Sequence, residues 1–183
     1  MDWEFRVLYA IQSLRTPAFD SFILWLTNFV GNYGQMWLVV GVIMCTFKKT
    51  RKAGIAVLLS WILVYVVNQC GLKELIARQR PCNRVTDVEM LIKAPSSYSC
   101  PSTHSAWSLG GAMSIFMYHR KRGIPVILFS LLVCFSRLYL FVHFPTDVLF
   151  GAAIGAVLGV LCFLLINGTC KAIEKHKAGS AEI

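Results

Sequence analysis

The feature that most constrains the fold of this chain is a series of long stretches without a charged residue. They cover residues 53–72, 102–118, 123–136 and 148–170, and the longest reach the roughly 20 residues that a helix needs to cross a bilayer core. Charged residues make up only 15% of the chain and its mean hydropathy is +0.61, which leaves too little polar surface for a soluble globule. The sequence therefore predicts an all-α fold, a polytopic membrane bundle.

A further uncharged segment between Ser21 and Phe47 is interrupted by the sequence Gly31-Asn-Tyr-Gly34. Hydropathy fits either one long span or two short ones. We favour two, because Gly and Asn are turn residues and Thr16-Pro17 supplies an N-cap and a first-turn proline for the first helix. This interpretation gives six transmembrane helices, at about 17–31, 34–48, 52–74, 102–118, 123–141 and 146–168.

Residues 1–15 come before the first span and mix Trp3, Phe5 and Leu8 with Glu4 and Arg6. Such amphipathic spacing is typical of a helix that lies in the membrane interface. With an outer loop at 80–101 and a cytoplasmic tail at 169–183, the whole chain, 1–183, is predicted to form a single integral-membrane domain.

Most basic residues lie in short clusters between the apolar stretches. Cytoplasmic loops are enriched in Lys and Arg, so the clusters place their segments, and both chain termini, on the cytoplasmic side of the cell membrane. The net charge of +9 then reflects membrane orientation and does not indicate a nucleic-acid partner. The clusters are Lys48, Lys49, Arg51 and Lys52; Arg120, Lys121 and Arg122; and Lys171, Lys175 and Lys177.

The loop at 80–101 and the turn at 143–145 fall on the opposite, extracytoplasmic side. Lys73 and Arg80 are seven residues apart, which predicts that they share one helical face near the outer end of a span, with Pro81 ending the helix. Snorkelling of interfacial side chains would explain this pair if it stood alone. The basic residues on the outer side are Lys73, Arg78, Arg80, Arg84, Lys93 and Arg137.

A second outer segment, Pro101-Ser102-Thr103-His104, opens an apolar stretch. Ser102 is placed to cap the helix, and the unpaired N–H groups of the first helical turn attract anions. A capping serine beside an interfacial histidine is the simpler alternative for this segment alone.

A third outer segment contains Arg137, His143 and Asp147 among apolar neighbours, where ionisable groups are costly. A carboxylate close to an imidazole fixes its tautomer and raises its basicity, as a nucleophilic or general-base histidine requires. Each segment has an ordinary structural explanation, but all three fall on one side of the membrane. Together they indicate one anion-binding site that contains two histidines.

The three segments resemble the signature of the type 2 phosphatidic acid phosphatase superfamily. That signature has a Lys followed after six residues by Arg-Pro, then Pro-Ser-Gly-His, then Ser-Arg, five residues, His, three residues and Asp. This chain has them in the same order, as Lys73 and Arg80-Pro81, Pro101-Ser102-Thr103-His104, and Ser136-Arg137, His143 and Asp147.

The resemblance implies a phosphatase that hydrolyses a phosphate monoester or diphosphate on a membrane lipid, without metal or cofactor. His143 would attack phosphorus to form a phosphohistidine, Asp147 would orient His143, and His104 would protonate the leaving oxygen and later activate water. The phosphate would be bound by Lys73, Arg80, Ser102, Thr103 and Arg137. We expect the enzyme to release phosphate at an unchanged rate in the presence of EDTA. The substrate ranked first is undecaprenyl diphosphate, ahead of phosphatidylglycerol phosphate and phosphatidic acid.

Thr103 stands where the family has Gly, so a catalytically inactive lipid-binding homologue is one alternative. We expect ordinary helical geometry at Thr103, which would not need a glycine. A transporter that uses Arg137, His143 and Asp147 as an ion path is another alternative. Cys82 and Cys100 adjoin two of the motifs, and a disulfide between them is left open.

Overall fold

The computed structural model describes residues 3–180, and within this range the chain forms helices and no β-strand. The predicted all-α class is therefore confirmed. The helices are α1 (Trp3–Gln12), α2 (Pro17–Val30), α3 (Gln35–Thr46), α4 (Arg51–Val64), α5 (Lys73–Ile76), α6 (Thr103–Tyr118), α7 (Arg120–Tyr139) and α8 (Pro145–Ser180). A π-helical segment, Tyr65–Leu72, joins α4 to α5, and a short 3₁₀ helix covers Pro81–Asn83.

Helices α2 and α3 form a bent pair rather than two antiparallel spans. Helix α2 begins as predicted, with the Thr16 hydroxyl accepting from the Phe19 N–H group. The helix also breaks where predicted, since Gly31 and Gly34 have φ values of +78° and +64° that favour glycine. The chain turns by only 52° at this break, so α3 continues roughly in the direction of α2.

The six predicted spans are not confirmed. Within the described residues, three helical segments are long and apolar enough to cross a membrane, or up to four if the bent pair α2–α3 counts as one span. Helix α6 has 16 residues, fewer than a typical span. The three segments are Arg51–Asn83, Arg120–Tyr139 and Pro145–Ile173.

Helix α6 lies at the centre of the bundle. Its contacts determine how the helices that carry the motifs are aligned along the axis of the bundle. It runs parallel to α8, and the two helices are so close that a Cβ atom on Gly155 would lie only 2.1 Å from the Ala106 carbonyl oxygen. It runs antiparallel to α7, where the Ser130 hydroxyl donates to the Ser108 carbonyl at 2.9 Å. Small residues allow such close helix contacts in membranes. The amino-terminal ends of α6 and α8 consequently lie side by side.

Helix α1 lies at the same end of the bundle as the amino-terminal ends of α6 and α8. Leu8 is fully buried in a cluster with Phe141 and Phe144 from the α7–α8 connection. The turn between α6 and α7 and the carboxyl end of α8 are at the other end, because both helices run away from α1. Helix α1 and the carboxyl end of α8 therefore lie at opposite ends of the bundle, and the membrane side of each terminus stays a prediction.

The predicted outer loop is irregular and packs against α1. Tyr9 donates a hydrogen bond to Asp87 at 2.9 Å, and Arg15 donates to the Glu89 carbonyl at 2.7 Å. Cys82 and Cys100 are both free thiols, so the disulfide left open by the sequence is not formed in this structure.

Candidate active site

A cavity of about 590 Å³ opens at the end of the bundle where α6 begins. Most of the predicted site residues line it: Lys73, Arg80, Thr103, His104, Arg137 and His143. Four of the lining side chains are cationic, since Lys93 joins Lys73, Arg80 and Arg137, and none of the described lining residues is Asp or Glu. A cavity with this charge favours a multiply charged anion.

The imidazole of His143 is held between a guanidinium and a carboxylate. Its Nε2 atom lies 3.1 Å from a guanidinium nitrogen of Arg80, and its Nδ1 atom lies 3.8 Å from Oδ2 of Asp147. An arginine can only donate, so Nε2 accepts and the proton of the neutral ring is on Nδ1, facing the carboxylate. Nε2 thus has the lone pair that a nucleophile requires, and in this structure that lone pair accepts from Arg80.

Burial keeps His143 neutral. Desolvation lowers its pKa to about 3, and the neighbouring Arg80 acts in the same direction while Asp147 opposes it. Only 3% of the residue is exposed. At neutral pH the ring therefore has an unprotonated nitrogen available for attack on phosphorus.

Asp147 is fully buried and does not line the cavity. Its Oδ2 atom accepts from the Ser99 hydroxyl and from the Phe144 N–H group at 2.9 Å, while its Oδ1 atom accepts from Arg78 at 2.6 Å. The carboxylate is therefore held in one orientation, with Oδ2 toward His143. This arrangement suits an orienting group rather than a group that touches substrate.

Lys73 and Arg80 meet in the cavity, but not on one helical face as predicted. Helix α5 ends at Ile76, Ala77 adopts a left-handed conformation with φ of +47°, and Arg80 follows in an extended conformation. Both side chains are then held by the outer loop, because each donates to the Ser97 hydroxyl, at 3.2 and 3.1 Å. The shared serine brings the two cations together where the helical register does not.

Arg137 approaches the cavity from α7. Its guanidinium donates to the hydroxyls of Thr27 at 2.6 Å and Ser136 at 2.9 Å, and the residue is only 3% exposed. Hydroxyl partners satisfy its hydrogen-bonding groups without neutralising its charge. Arg137 consequently keeps its positive charge available to an anion in the cavity.

Ser102 and Thr103 begin α6, as the sequence predicts. The Ser102 hydroxyl caps the helix by accepting from the Ser105 N–H group, and Ser102 does not line the cavity. Thr103 is the first helical residue and does line it. The backbone at Thr103 has no positive φ, so this position does not require the glycine found in the family signature.

His104 lines the same cavity and contacts the α2–α3 break. Its Nε2 atom is 3.2 Å from the Gly31 carbonyl oxygen, which places a proton on that nitrogen because a carbonyl only accepts. The two histidines thus show opposite tautomers. Nε2 of His143 is unprotonated and accepts from Arg80, whereas Nε2 of His104 is protonated and donates to Gly31.

Two residues of this site were not selected from the sequence. Arg78 contacts Asp147, and Glu4 contacts Arg78 from helix α1. Arg78 was visible as a basic residue on the outer side, which is the signal that could have identified it. Glu4 gave no such signal, since in the sequence it is an ordinary polar residue of an amphipathic helix. Among the residues whose side chains the structure describes, no group of three or more His, Cys, Asp or Glu is arranged to hold a metal ion.

Comparison with known proteins agrees with the three motifs. The profile of the PAP2 superfamily matches residues 53–169. The chain belongs to the PAP2 superfamily. The resemblance found in the sequence is therefore confirmed, and the chain is an integral-membrane enzyme of the lipid phosphatase class.

Individual members of the superfamily are similar over most of the chain. An undecaprenyl-diphosphatase of Sulfolobus acidocaldarius is 32% identical over 151 residues, which cover 80% of this chain and 73% of that protein. The PAP2-type phosphatidylglycerolphosphate phosphatase of Bacillus subtilis has a crystal structure that matches with a TM-score of 0.69 and 27% identity, covering 93% of this chain and 85% of that one. The LpxE structure of Aquifex aeolicus shares the PAP2 fold, with a TM-score of 0.70, 24% identity and coverage of 88% and 95%.

Proposed function

We propose that this PAP2 enzyme hydrolyses undecaprenyl diphosphate to undecaprenyl phosphate through a phosphohistidine on His143. The observation that carries the proposal is the unprotonated Nε2 of His143 in a cavity lined by four cations and, among the described residues, by no carboxylate. A diphosphate carries more negative charge than a monoester, so this cavity favours it. The similarity to the Sulfolobus enzyme supports the same choice.

In the first step Nε2 of His143 attacks phosphorus and the bond from phosphorus to the leaving oxygen breaks. His104 first takes a proton from solvent to become an imidazolium, a form that the negative charge of the bound phosphate favours, and then gives a proton to the leaving oxygen. Phosphorylated His143 is also a cation, and Asp147 stabilises it through the Nδ1 proton. Lys73, Arg80 and Arg137 balance the charge on the equatorial oxygens.

In the second step a water molecule loses its proton to His104 and attacks the phosphohistidine. The bond between phosphorus and Nε2 breaks, and the electron pair returns to His143. Inorganic phosphate leaves, His143 is neutral again, and His104 is again the imidazolium that begins the next cycle. The sequence of bonds requires no metal or cofactor.

Phosphatidylglycerol phosphate is the second candidate substrate, supported by the match to the Bacillus subtilis structure over 93% of the chain. Phosphate release from detergent-solubilised enzyme, in the presence of EDTA, should separate the two candidates and phosphatidic acid. We expect kcat/KM to be highest for undecaprenyl diphosphate, by about tenfold, which is the effect of roughly one additional charged contact.

A higher kcat/KM for phosphatidylglycerol phosphate would replace the proposed substrate. Lipid binding without phosphate release would instead indicate the inactive lipid-binding homologue. Transport of an ion without hydrolysis would favour the transporter alternative, and loss of release in EDTA would contradict the metal-free mechanism.

We also propose that the site faces the extracytoplasmic side and that α1 lies in the interface on that side. The basic clusters near the α3–α4 and α6–α7 turns are at the end of the bundle away from the site, and basic loops stay in the cytoplasm. In a background in which the seven native cysteines are replaced by serine, a Ser13→Cys substitution just after α1 should react with a membrane-impermeant thiol reagent on intact cells. Labelling that requires permeabilised cells would reverse the proposed orientation.

A further inference from the structure

The carboxylate that orients His143 is itself held from outside the cavity. Arg78 donates one guanidinium nitrogen to Oδ1 of Asp147 at 2.6 Å and the other to Glu4 of helix α1 at 2.5 Å. Arg78 and Glu4 do not line the cavity. Any effect of this pair on the reaction must therefore pass through Asp147.

Arg78 is fixed on several sides. Besides its two carboxylate partners, it donates to the Thr146 hydroxyl at 2.7 Å, and its guanidinium lies 4.1 Å from the centre of the Phe144 ring. Arg78 uses one guanidinium nitrogen for each carboxylate, so its planar group links Asp147 to Glu4 by two charge-assisted hydrogen bonds. Since Ser99 and the Phe144 N–H group hold the other oxygen, the plane of the Asp147 carboxylate is determined.

Glu4 completes this arrangement from helix α1. It is only 5% exposed, and its second oxygen accepts from the Thr146 hydroxyl at 2.6 Å and from the Thr146 N–H group at 3.3 Å. The N–H group belongs to the first turn of α8, where a carboxylate is favourable. Glu4 thus binds both Arg78 and the turn of helix that carries Asp147.

We infer that Glu4 and Arg78 are positioning residues for the reaction. They keep Oδ2 of Asp147 directed at the Nδ1 proton of His143, which leaves Nε2 unprotonated for attack. Helix α1 then contributes to the reaction by positioning Asp147, in addition to lying in the membrane interface. The inference rests on the proposed roles of His143 and Asp147.

The variants Glu4→Gln and Arg78→Gln should lower kcat by about 10- to 100-fold, the usual effect of losing a group that orients a catalytic side chain. KM should change by less than about threefold, because neither side chain contacts substrate. Arg78→Lys should restore part of kcat, since it keeps one charged donor. Tyr9→Phe is the matched control, because it removes the contact of α1 with Asp87 and leaves Asp147 untouched.

A double-mutant cycle distinguishes positioning from general structural support. If Arg78 acts through Asp147, Arg78→Gln should have no further effect on kcat in an Asp147→Asn background. Fully additive effects would overturn the inference, as would an equal loss in Tyr9→Phe. Thermal unfolding of each variant shows whether the protein is folded. If Arg78→Gln does not fold, Arg78→Lys takes its place in the test.

Failure of this inference is distinguishable from failure of the proposed function. If Asp147→Asn lowers kcat strongly and Arg78→Gln does not, only the positioning role of Arg78 and Glu4 is lost. If Asp147→Asn leaves kcat unchanged, the proposed pairing of His143 with Asp147 is itself wrong.

Discussion

Replacing His143 by glutamine is expected to lower kcat by about 10⁴-fold or more, because the covalent pathway then has no nucleophile. His104, the other histidine that lines the cavity, is not equivalent to His143, since its Nε2 atom is protonated and donates to the Gly31 carbonyl. Glutamine retains similar size and polarity, so Arg80 keeps a hydrogen-bonding partner. Turnover is measured as phosphate released from the lipid substrate.

A second measurement tests the intermediate directly. Enzyme incubated briefly with ³²P-labelled substrate and quenched in alkali should carry acid-labile radioactivity, which His143→Gln should lack. His119→Gln is the control, because His119 follows α6 at the opposite end of the bundle and should leave both signals unchanged. Retained labelling in His143→Gln would assign the nucleophile to another residue.

Replacing His104 by asparagine should lower kcat by about 10²- to 10⁴-fold for lipid phosphates, the usual contribution of a general acid. The loss in the first step should be much smaller for an aryl phosphate such as p-nitrophenyl phosphate, whose leaving group needs no proton. Water activation would still be impaired, so the phosphoenzyme should accumulate. A burst of p-nitrophenol followed by slow release measures both effects.

The result that contradicts this role is an equal loss for lipid and aryl phosphates without a burst. In that case His104 would contribute to binding alone. His119→Asn is a suitable control, because it makes the same substitution at the other end of α6 and should preserve turnover with both substrates.

The residues that the sequence identified best are those fixed by local spacing. His143 and Asp147 are four residues apart, and the distance of 3.8 Å between their side chains follows from that spacing in a turn that leads into a helix. The capping of α6 by Ser102 was predictable for the same reason, although its hydroxyl serves the helix and does not reach the cavity.

Features that depend on tertiary contacts were less predictable. Lys73 and Arg80 meet through Ser97, a loop residue with no pattern to mark it. The interruption at Gly31 was visible, but its angle depends on how α2 packs on α7 and α3 on α4, so composition could not distinguish a reversal from a bend of 52°. Glu4 was missed because its partners lie far along the chain.

The contact between Glu4 and Thr146 joins residues 142 positions apart. During synthesis α1 is therefore made first, and its buried carboxylate has all of its partners only after the chain has reached the start of α8. The phosphatase would be assembled only when the last helix has left the ribosome and entered the bilayer, so unfinished chains should be inert.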